Sequence, residues 1–227
     1  MKIGLLQAGH LADTLVETYG DYDRLYPALL KNQGFDFVSY PVVDGVFPDD
    51  PGAADGWLIS GSRHGAYEDH NWIPPLEQLI RDIHDSGVPL VGICFGHQII
   101  AQALGGTVEK YDGGWAIGPT DYAADDGTLT LNAWHQDQVT RRPDGARLTA
   151  SNAFCENAML TYGDRIWTIQ AHPEFENDFI HDLMEARGRG VVPDPILDAA
   201  ETRLSDPIDN STIAQRIGAF FRVARTS

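Results

Sequence analysis

Cysteine is scarce in this chain, with two residues among 227, Cys94 and Cys155. Two thiols are too few for the disulfide framework of a small secreted protein, and they fit a reducing compartment. No apolar run approaches the roughly 20 residues that cross a bilayer. The apolar stretch at the N-terminus is also shorter than that of a signal peptide. The sequence therefore predicts a soluble, cytoplasmic protein that has no membrane partner.

Basic residues are also few, because 16 Lys and Arg stand against 33 Asp and Glu and give a net charge of −17. Nucleic acids and anionic membrane surfaces are bound by basic patches, so neither is expected as a partner. The length suits one domain, which is predicted to span residues 1–227. At this size, roughly 70–75% of the surface of the unfolded chain can be buried.

Short apolar runs alternate with stretches of helical spacing through the first half of the chain. Strands are predicted at residues 3–7, 35–42, 56–60 and 89–93, and helices at residues 21–31 and 74–85. Later strands are predicted at residues 108–111, 115–117, 129–134, 148–151, 158–162 and 166–171. Helices at residues 177–187 and 210–223 then flank a connector at residues 188–195. This order predicts an α/β fold with a mostly parallel central sheet and helices on both faces. Its site is expected at the carboxyl ends of the strands.

The most informative motif is the turn Gly-x-Cys-x-Gly formed by Gly92, Cys94 and Gly96, between a predicted strand and a predicted helix. It is the thiol counterpart of the Gly-x-Ser-x-Gly nucleophile elbow. The glycines are needed because bulkier side chains would collide with neighbouring backbone at so tight a turn. The helix N-terminus favours a thiolate. By itself the motif leaves open that Cys94 is a buried core thiol, the commonest state of a free cysteine.

A cysteine nucleophile needs a base, and the base needs a group that orients it. His172 and Glu174 follow the last predicted strand and are separated by Pro173. In an extended segment, residues i and i+2 project to the same side, which would place the imidazole beside the carboxylate. Glu176 competes for the acidic role, but it lies farther beyond the strand.

Acyl transfer also needs N–H donors for the oxyanion of its tetrahedral intermediate. One donor is expected to be the backbone N–H of Phe95, directly after the cysteine. The second is expected from the turn that contains Gly61 and Ser62, at the end of a neighbouring strand. Taken alone, that turn is more typical of simple strand termination.

Together these motifs resemble those of the class I (triad-type) glutamine amidotransferases. Residues 89–98 fit the family's active-site pattern at every position, and Gln-Ala-His-Pro-Glu at residues 170–174 resembles its Gln-x-His-Pro-Glu signature. Residues 60–62 resemble the Ser-Gly-Gly oxyanion loop, with Ser62 in place of the second glycine. Residues 134–139 resemble the Ser-His-x-Asp-x-Val segment, with Trp134 in place of the serine. The resemblance covers about residues 1–185 and implies a flavodoxin-like fold, followed by a helical C-terminal extension at residues 186–227.

The resemblance implies a role for each matching residue. The catalytic residues would be the nucleophile, its acid/base and the group that orients the base: Cys94, His172 and Glu174. The oxyanion donors would be Phe95 with Gly61 or Ser62. The substrate-binding residues would be Gln98, which helps hold the amino-acid end of the substrate, and His135 and Gln136. Four aromatic residues are candidate walls of the pocket: Tyr67, Trp72, Trp115 and Trp134.

No cofactor and no metal ion are expected. Cys94 and His97 could be imagined as a metal pair, but no further ligand stands at a suitable spacing, and a metal ion would occupy the place of the substrate. His97 is therefore expected to be structural. Cys155 has neither glycines nor a base near it in sequence and is expected to be a core or loop thiol.

The implied activity is hydrolysis of the γ-amide of glutamine or a γ-glutamyl compound through a thioester on Cys94. No synthetase or ATP-binding domain is expected within residues 1–227, so release of ammonia to an acceptor would need a separate synthetase or acceptor subunit. The alternative is the free-standing branch near the γ-glutamyl peptidases, which release an amine from glutathione-like or γ-glutamyl-amine substrates. A third interpretation is a non-catalytic regulatory protein on the same fold.

Overall fold

The computed structural model describes residues 1–224, so residues 225–227 of the predicted extension lie outside the described part. The strands are β1 (Lys2–Leu6), β2 (Asp36–Tyr40), β3 (Gly56–Ile59), β4 (Leu90–Ile93), β5 (Thr107–Lys110), β6 (Ala116–Ala124), β7 (Gly127–His135), β8 (Asp137–Arg141), β9 (Ala146–Ser151), β10 (Met159–Tyr162) and β11 (Ile166–Ile169). The helices are α1 (Asp13–Tyr19), α2 (Tyr22–Leu29), α3 (Ile73–Ser86), α4 (Phe95–Ala103), α5 (Asn177–Leu183), α6 (Asp194–Glu201) and α7 (Asn210–Ala224). Short 3₁₀ turns lie at Val42–Asp44 and Pro51–Ala53, and a π-helical turn lies at Met184–Gly188.

The central sheet has the strand order β2-β1-β3-β4-β11-β10-β9-β6-β7. From β2 to β11 every neighbouring pair is parallel, and from β11 to β7 every pair is antiparallel. Strands β5 and β8 form a separate antiparallel pair. The α/β fold with a largely parallel sheet is thus confirmed, and the antiparallel part of the sheet extends it on one side only.

Helices cover both faces of the sheet. Helices α3 and α4 pack on one face, and α2, α5 and α7 pack on the other. Helix α3 illustrates the physical reason, because its buried residues recur at helical spacing: Ile73, Leu76, Leu79, Ile80 and Ile83. Burying each such side chain stabilises the fold by about 1.5–3 kcal/mol. Strands β3, β4 and β11 are buried along their whole length, as expected of parallel strands covered on both sides.

The turn from β4 into α4 holds Cys94 in a strained conformation. Its φ is 53° and its ψ is −104°, and no other non-glycine residue among positions 1–224 has a positive φ. The backbone is tied on both sides, since Cys94 N–H donates to Ile169 O at 2.8 Å and Gly96 N–H donates to Ser60 O at 3.1 Å. A Cβ on Gly92 would lie 2.5 Å from the Gly96 carbonyl oxygen. Only glycine therefore fits there.

The structure departs from the predicted elements in places. Strand β8 and helix α1 were not expected from their short, polar sequences. The predicted helix at residues 177–187 divides into α5 and the π-helical turn, and α6 begins inside the predicted connector at residues 188–195. The extension beyond residue 186 is largely helical as far as it is described. Among residues 1–224, every helix is too short or too polar to span a membrane.

The strain at Cys94 predicts that Cys94→Gly is more stable than Cys94→Ala. Both substitutions remove the sulfur, but only glycine relieves an unfavourable backbone region that costs about 1–3 kcal/mol. The extra flexibility of glycine in the unfolded chain offsets about 0.5–1 kcal/mol of that gain. We expect the free energy of unfolding, measured in urea, to be about 1 kcal/mol higher for Cys94→Gly. A Cys94→Gly protein less stable than Cys94→Ala would contradict a strained elbow.

Candidate active site

Three loops meet at the carboxyl edge of the parallel strands, because β4 lies between β3 and β11. The turn with Gly61 and Ser62 follows β3, Cys94 follows β4, and His172 and Glu174 follow β11. Segments that are far apart in sequence thereby contribute to one site, as is usual for the open edge of a parallel sheet.

His172 lies between Cys94 and Glu174. Its Nδ1 is 2.8 Å from Oε1 of Glu174, and Cys94 lies close enough to act on the charge of its ring. Burial alone lowers the pKa of His172, but the charges of the Cys94 thiolate and Glu174, together with the hydrogen bond to Glu174, raise it to about 10. The imidazole of His172 therefore keeps its proton at neutral pH.

The segment from His172 to Phe175 is a tight turn, and the predicted extended conformation is wrong. Phe175 N–H donates to His172 O at 3.2 Å, and Pro173 occupies a turn position that suits its fixed φ. The turn still brings the Glu174 carboxylate to the imidazole. Glu176 lies instead at the start of α5, where its carboxylate accepts a hydrogen bond from Asn210 at 3.4 Å.

Two aromatic residues hold the imidazole of His172 and the carboxylate of Glu174 in place. The Phe175 ring stacks on His172 with 4.2 Å between centroids and 8° between planes. The hydroxyl of Tyr26 on α2 donates to Glu174 Oε1 at 2.9 Å. Tyr26 stands within the predicted helix at residues 21–31, where no local pattern marks it as part of a site, because its partner is 148 residues away.

The turn is also anchored to β7 and α7. His172 N–H donates to the carbonyl of Asn132 at 2.8 Å. The side-chain amides of Asn132 and Asn210 both donate to the carbonyl of Phe175, at 2.9 and 3.0 Å. The C-terminal extension therefore supports the site directly through α7. A buried asparagine in an apolar strand was the one signal in the sequence that could have drawn attention to Asn132.

The sulfur of Cys94 has a second polar neighbour in Gln170. The amide nitrogen of Gln170 lies 3.6 Å from the sulfur and donates to it. The Gln170 carbonyl oxygen accepts from Gln98 Nε2 at 3.1 Å, and the same nitrogen donates to the backbone carbonyl of Asp137 at 2.9 Å. Gln98 thus fixes a neighbour of the Cys94 sulfur, and the Gln98 carbonyl oxygen is the group that this side chain can offer to a ligand. Gln170 stood inside a recognised signature without a role assigned to it.

The backbone amides of the predicted oxyanion donors differ in whether they already have a hydrogen-bond partner. Gly61 N–H already donates to the Tyr26 hydroxyl at 3.3 Å. The amides of Ser62 and Phe95 have no hydrogen-bond partner within residues 1–224. A Cβ on Gly61 would come within 2.9 Å of His172 Cε1, so glycine is needed there for close approach of the imidazole. Of the two candidates in this turn, Ser62 is the one whose amide is available.

A cavity of about 380 Å³ opens beside Cys94 and His172, within the range of small-molecule sites. The predicted substrate residues and walls that line it are Ser62, Tyr67, Gln98, Trp115, Trp134, His135 and Gln136. Trp72 does not line it and packs beneath the elbow, with its ring 5.5 Å from that of Phe95. His135 is neutral, because burial and then the charge of His172 lower its pKa to about 3.

The mouth of the cavity carries three cationic side chains that were not expected from the sequence, beside the carboxylates of Glu68 and Asp137. Arg63, Lys110 and Arg187 all line it, although the chain has only 16 Lys and Arg residues. Arg63 and Arg187 are exposed and form no ion pair with any carboxylate of residues 1–224. Because Arg187 belongs to the C-terminal extension, this segment shapes the entrance as well as the support of the site.

His97 and Cys155, which were expected from the sequence to have no role in the site, lie away from the cavity. His97 is fully buried, and its Nδ1 is 2.8 Å from the hydroxyl of Thr168. Cys155 is 2% exposed, and burial raises the pKa of its thiol to about 12. Both therefore lie within the fold as inert core groups.

Comparison with known proteins agrees with this geometry. The family model described as glutamine amidotransferase class-I matches residues 44–180. The chain is 34% identical to gamma-glutamyl peptidase 4 of Arabidopsis thaliana over 185 residues, which cover 74% of each chain. It is also 34% identical over 170 residues to a glutamine-hydrolyzing GMP synthase of Bordetella parapertussis, covering 63% of this chain and 31% of that protein.

The fold is similar to that of a crystal structure described as a glutamine amido transferase from Methylobacillus flagellatus. The TM-score is 0.76 at 19% identity, over 100% of this chain and 93% of that one. At that identity the likeness supports the fold alone. From the family match and the peptidase relative, the chain belongs to the class I glutamine amidotransferase family.

Proposed function

We propose that this protein hydrolyses the γ-amide bond of glutamine or of a γ-glutamyl compound through a thioester on Cys94. The observation that carries the proposal is the position of His172, hydrogen-bonded to Glu174 and next to Cys94, which stands on a strained strand-to-helix turn. The unpaired thiol faces a cavity of suitable size, and an imidazole with a raised pKa supplies its proton partner.

In the acylation step, the Cys94 thiolate attacks the side-chain carbonyl carbon of the γ-glutamyl group. The oxyanion that forms accepts hydrogen bonds from the amides of Phe95 and Ser62. As the tetrahedral intermediate collapses, the C–N bond breaks and the His172 imidazolium gives its proton to the leaving nitrogen. The products of this step are a γ-glutamyl thioester and ammonia, or an amine when the nitrogen carries a substituent.

In the deacylation step, the neutral His172 imidazole removes a proton from water as the water attacks the thioester carbonyl. Collapse of the second intermediate expels the Cys94 thiolate and releases glutamate. The proton stays on His172, so the thiolate–imidazolium pair is restored. Throughout, Glu174 keeps the ring oriented and stabilises its positive charge, with Tyr26 holding the carboxylate.

We infer that the preferred substrate is a γ-glutamyl compound whose leaving group carries a negative charge, such as the carboxylate of a peptide. Arg63 and Arg187 at the mouth of the cavity are unpaired in the described structure and would attract such a group in an otherwise acidic chain. Similarity to a gamma-glutamyl peptidase supports the same choice. His135, Gln136 and the carbonyl of Gln98 would hold the amino-acid end.

The second form of the proposal is a glutaminase that passes ammonia to a separate synthetase or acceptor subunit. It is supported by similarity to part of a GMP synthase, whose printed name describes a glutamine-hydrolysing enzyme. The two forms share the chemistry at Cys94 and differ in the leaving group. Both would operate in the cytoplasm, where unpaired thiols stay reduced.

The decisive experiment measures glutamate release from glutamine, glutathione and a γ-glutamyl anilide by the purified protein and by Cys94→Ala. Removing the nucleophile is expected to reduce the rate by at least about 10³-fold, because triad members act as a unit. Release from glutathione well above that from glutamine would establish the peptidase form. Release from glutamine alone would favour the amidotransferase form.

The matched control is Cys155→Ala, which removes the other thiol, at a buried position outside the cavity. It is expected to retain activity on every substrate. If Cys94→Ala hydrolyses all three compounds at the wild-type rate, the proposed role of Cys94 is wrong.

A second prediction concerns the protonation of His172. In Cys94→Ala the charge of the thiolate is lost, and this charge raises the pKa of the imidazole. We expect its pKa to fall below the value of about 10 for the wild-type protein. Histidine NMR titration would measure it, with His172→Gln identifying the resonance. An unchanged pKa would contradict a thiolate–imidazolium pair.

A third prediction tests the charged mouth of the cavity. The double variant Arg63→Gln/Arg187→Gln is expected to raise KM for glutathione about tenfold, because each exposed charge contributes up to about 1 kcal/mol. The KM for the γ-glutamyl anilide, whose leaving group is uncharged, should not change. Arg147→Gln, which removes an arginine outside the cavity, is the control. An equal effect on both substrates would show that the arginines do not select a charged leaving group.

A further inference from the structure

A second cluster of reactive side chains lies on the loop between β3 and α3, outside the catalytic series. It consists of His64, Glu68 and His70, whose potential ligand atoms all lie within 4.8 Å of one another. His64 and Glu68 also line the cavity that contains Cys94. The cluster therefore borders the mouth of the site without using any residue of the proposed triad.

The donor atoms converge on one carboxylate oxygen. His64 Nδ1 lies 3.5 Å from Glu68 Oε2, and His70 Nε2 lies 2.7 Å from the same oxygen. Ligands around a tetrahedral ion with bonds of about 2.0–2.1 Å lie roughly 3.3 Å apart. Small side-chain rotations would therefore bring all three donors to bonding distance from one cation.

The two imidazoles are held by aromatic packing. Their rings meet edge to face with centroids 4.3 Å apart. His70 stacks on Trp72 at 6.0 Å and 13°, and His64 meets the same indole at 5.9 Å. Trp72 is 9% exposed and packs in turn on Phe95. This packing restricts the ring positions, so binding would require little ordering of the ligands.

The charge around the cluster also suits a cation. Glu68 supplies one negative charge, and Asp137 lies close enough for the two carboxylates to interact. Their combined charge offsets the nearby positive charge of Arg63, which acts on His64. Two imidazoles with one carboxylate match the preference of zinc and similar transition ions, whereas magnesium and calcium prefer oxygen ligands.

We propose that His64, Glu68 and His70 bind a divalent transition cation of the Zn²⁺ class at the mouth of the cavity, with water completing its coordination. The ion would lie on the aromatic platform of Trp72. From the sequence, a metal was weighed only at Cys94 and His97. The spacing of His64, Glu68 and His70 becomes meaningful only once the loop is folded.

The test is a Zn²⁺ titration of tag-free protein in competition with a chromophoric chelator. It is run on the wild-type chain and on Cys94→Ala, in which the catalytic sulfur cannot bind the ion. Both are expected to bind one ion per chain with similar affinity. His64→Gln, Glu68→Gln and His70→Gln, each made in Cys94→Ala, should weaken binding at least about tenfold, since even residues that only support a metal ligand contribute 10–100-fold.

The matched control is His84→Gln, also made in Cys94→Ala, which removes a half-exposed histidine that pairs with a single carboxylate on α3. It should bind Zn²⁺ as tightly as its parent. Co²⁺ added to the wild-type protein should give a visible spectrum without a thiolate charge-transfer band. Urea unfolding of each variant without metal should match that of its parent, so that weaker binding reports lost ligands and not a damaged fold.

Three results would overturn the proposal. The first is that neither parent protein binds Zn²⁺ stoichiometrically. The second is that the affinity for Zn²⁺ is unchanged in His64→Gln and His70→Gln. The third is that the wild-type chain binds Zn²⁺ and Cys94→Ala does not. The last would assign the ion to the catalytic sulfur. None of these results depends on the proposed hydrolysis, because each readout is binding or absorption.

Discussion

The pairing of β4 between β3 and β11 is the constraint on which the rest of the site depends. Hydrogen bonds from Cys94 N–H to Ile169 O and from Gly96 N–H to Ser60 O fasten the elbow to both neighbouring strands. They allow a residue with a φ of 53° to persist, because the surrounding backbone over-determines its conformation. The same pairing sets the turn after β3 and the turn after β11 on either side of the sulfur.

Within that framework, the site is a buried arrangement of charge that needs all of its partners. His172 is 3% exposed, and a protonated imidazole so deeply buried needs a negative partner such as Glu174. Glu174, whose side chain is fully buried, depends in turn on the hydroxyl of Tyr26. Removing one member of such a group leaves the others desolvated and unpaired, which is costlier than never having buried them. The supporting contacts from α2 and α7 are therefore integral to the site.

The mouth and the floor of the cavity are built from different parts of the fold. The floor is made of short turns that end buried strands, where backbone hydrogen bonds leave little freedom. The mouth is made of exposed side chains from the loop before α3, from β5 and from the C-terminal extension. Surface loops on a rigid scaffold can change without loss of the fold. The proposed substrate preference and the proposed metal site both belong to this outer layer, whereas the proposed chemistry belongs to the floor.

Much of the site could be predicted from the sequence, because its motifs are local. Gly92, Cys94 and Gly96 report a turn whose sterics allow few alternatives, and the apolar runs before them indicate buried parallel strands. His172 and Glu174 are only two positions apart, so their proximity needed no knowledge of the fold. The fold class could be predicted in the same way, because the alternation of strands and helices is also a local pattern.

What only the tertiary structure decided are the contacts between distant segments. Tyr26 reaches Glu174 across 148 positions, and Asn210 reaches Phe175 across 35. His64, Glu68 and His70 converge because the loop between β3 and α3 packs against Trp72. A sequence records side-chain chemistry and short-range spacing, whereas the partner of a side chain follows from strand order and helix packing. The amino-acid sequence by itself therefore determined the fold class and the reactive residues to expect, and the folded chain decided which residues support them and what surrounds them.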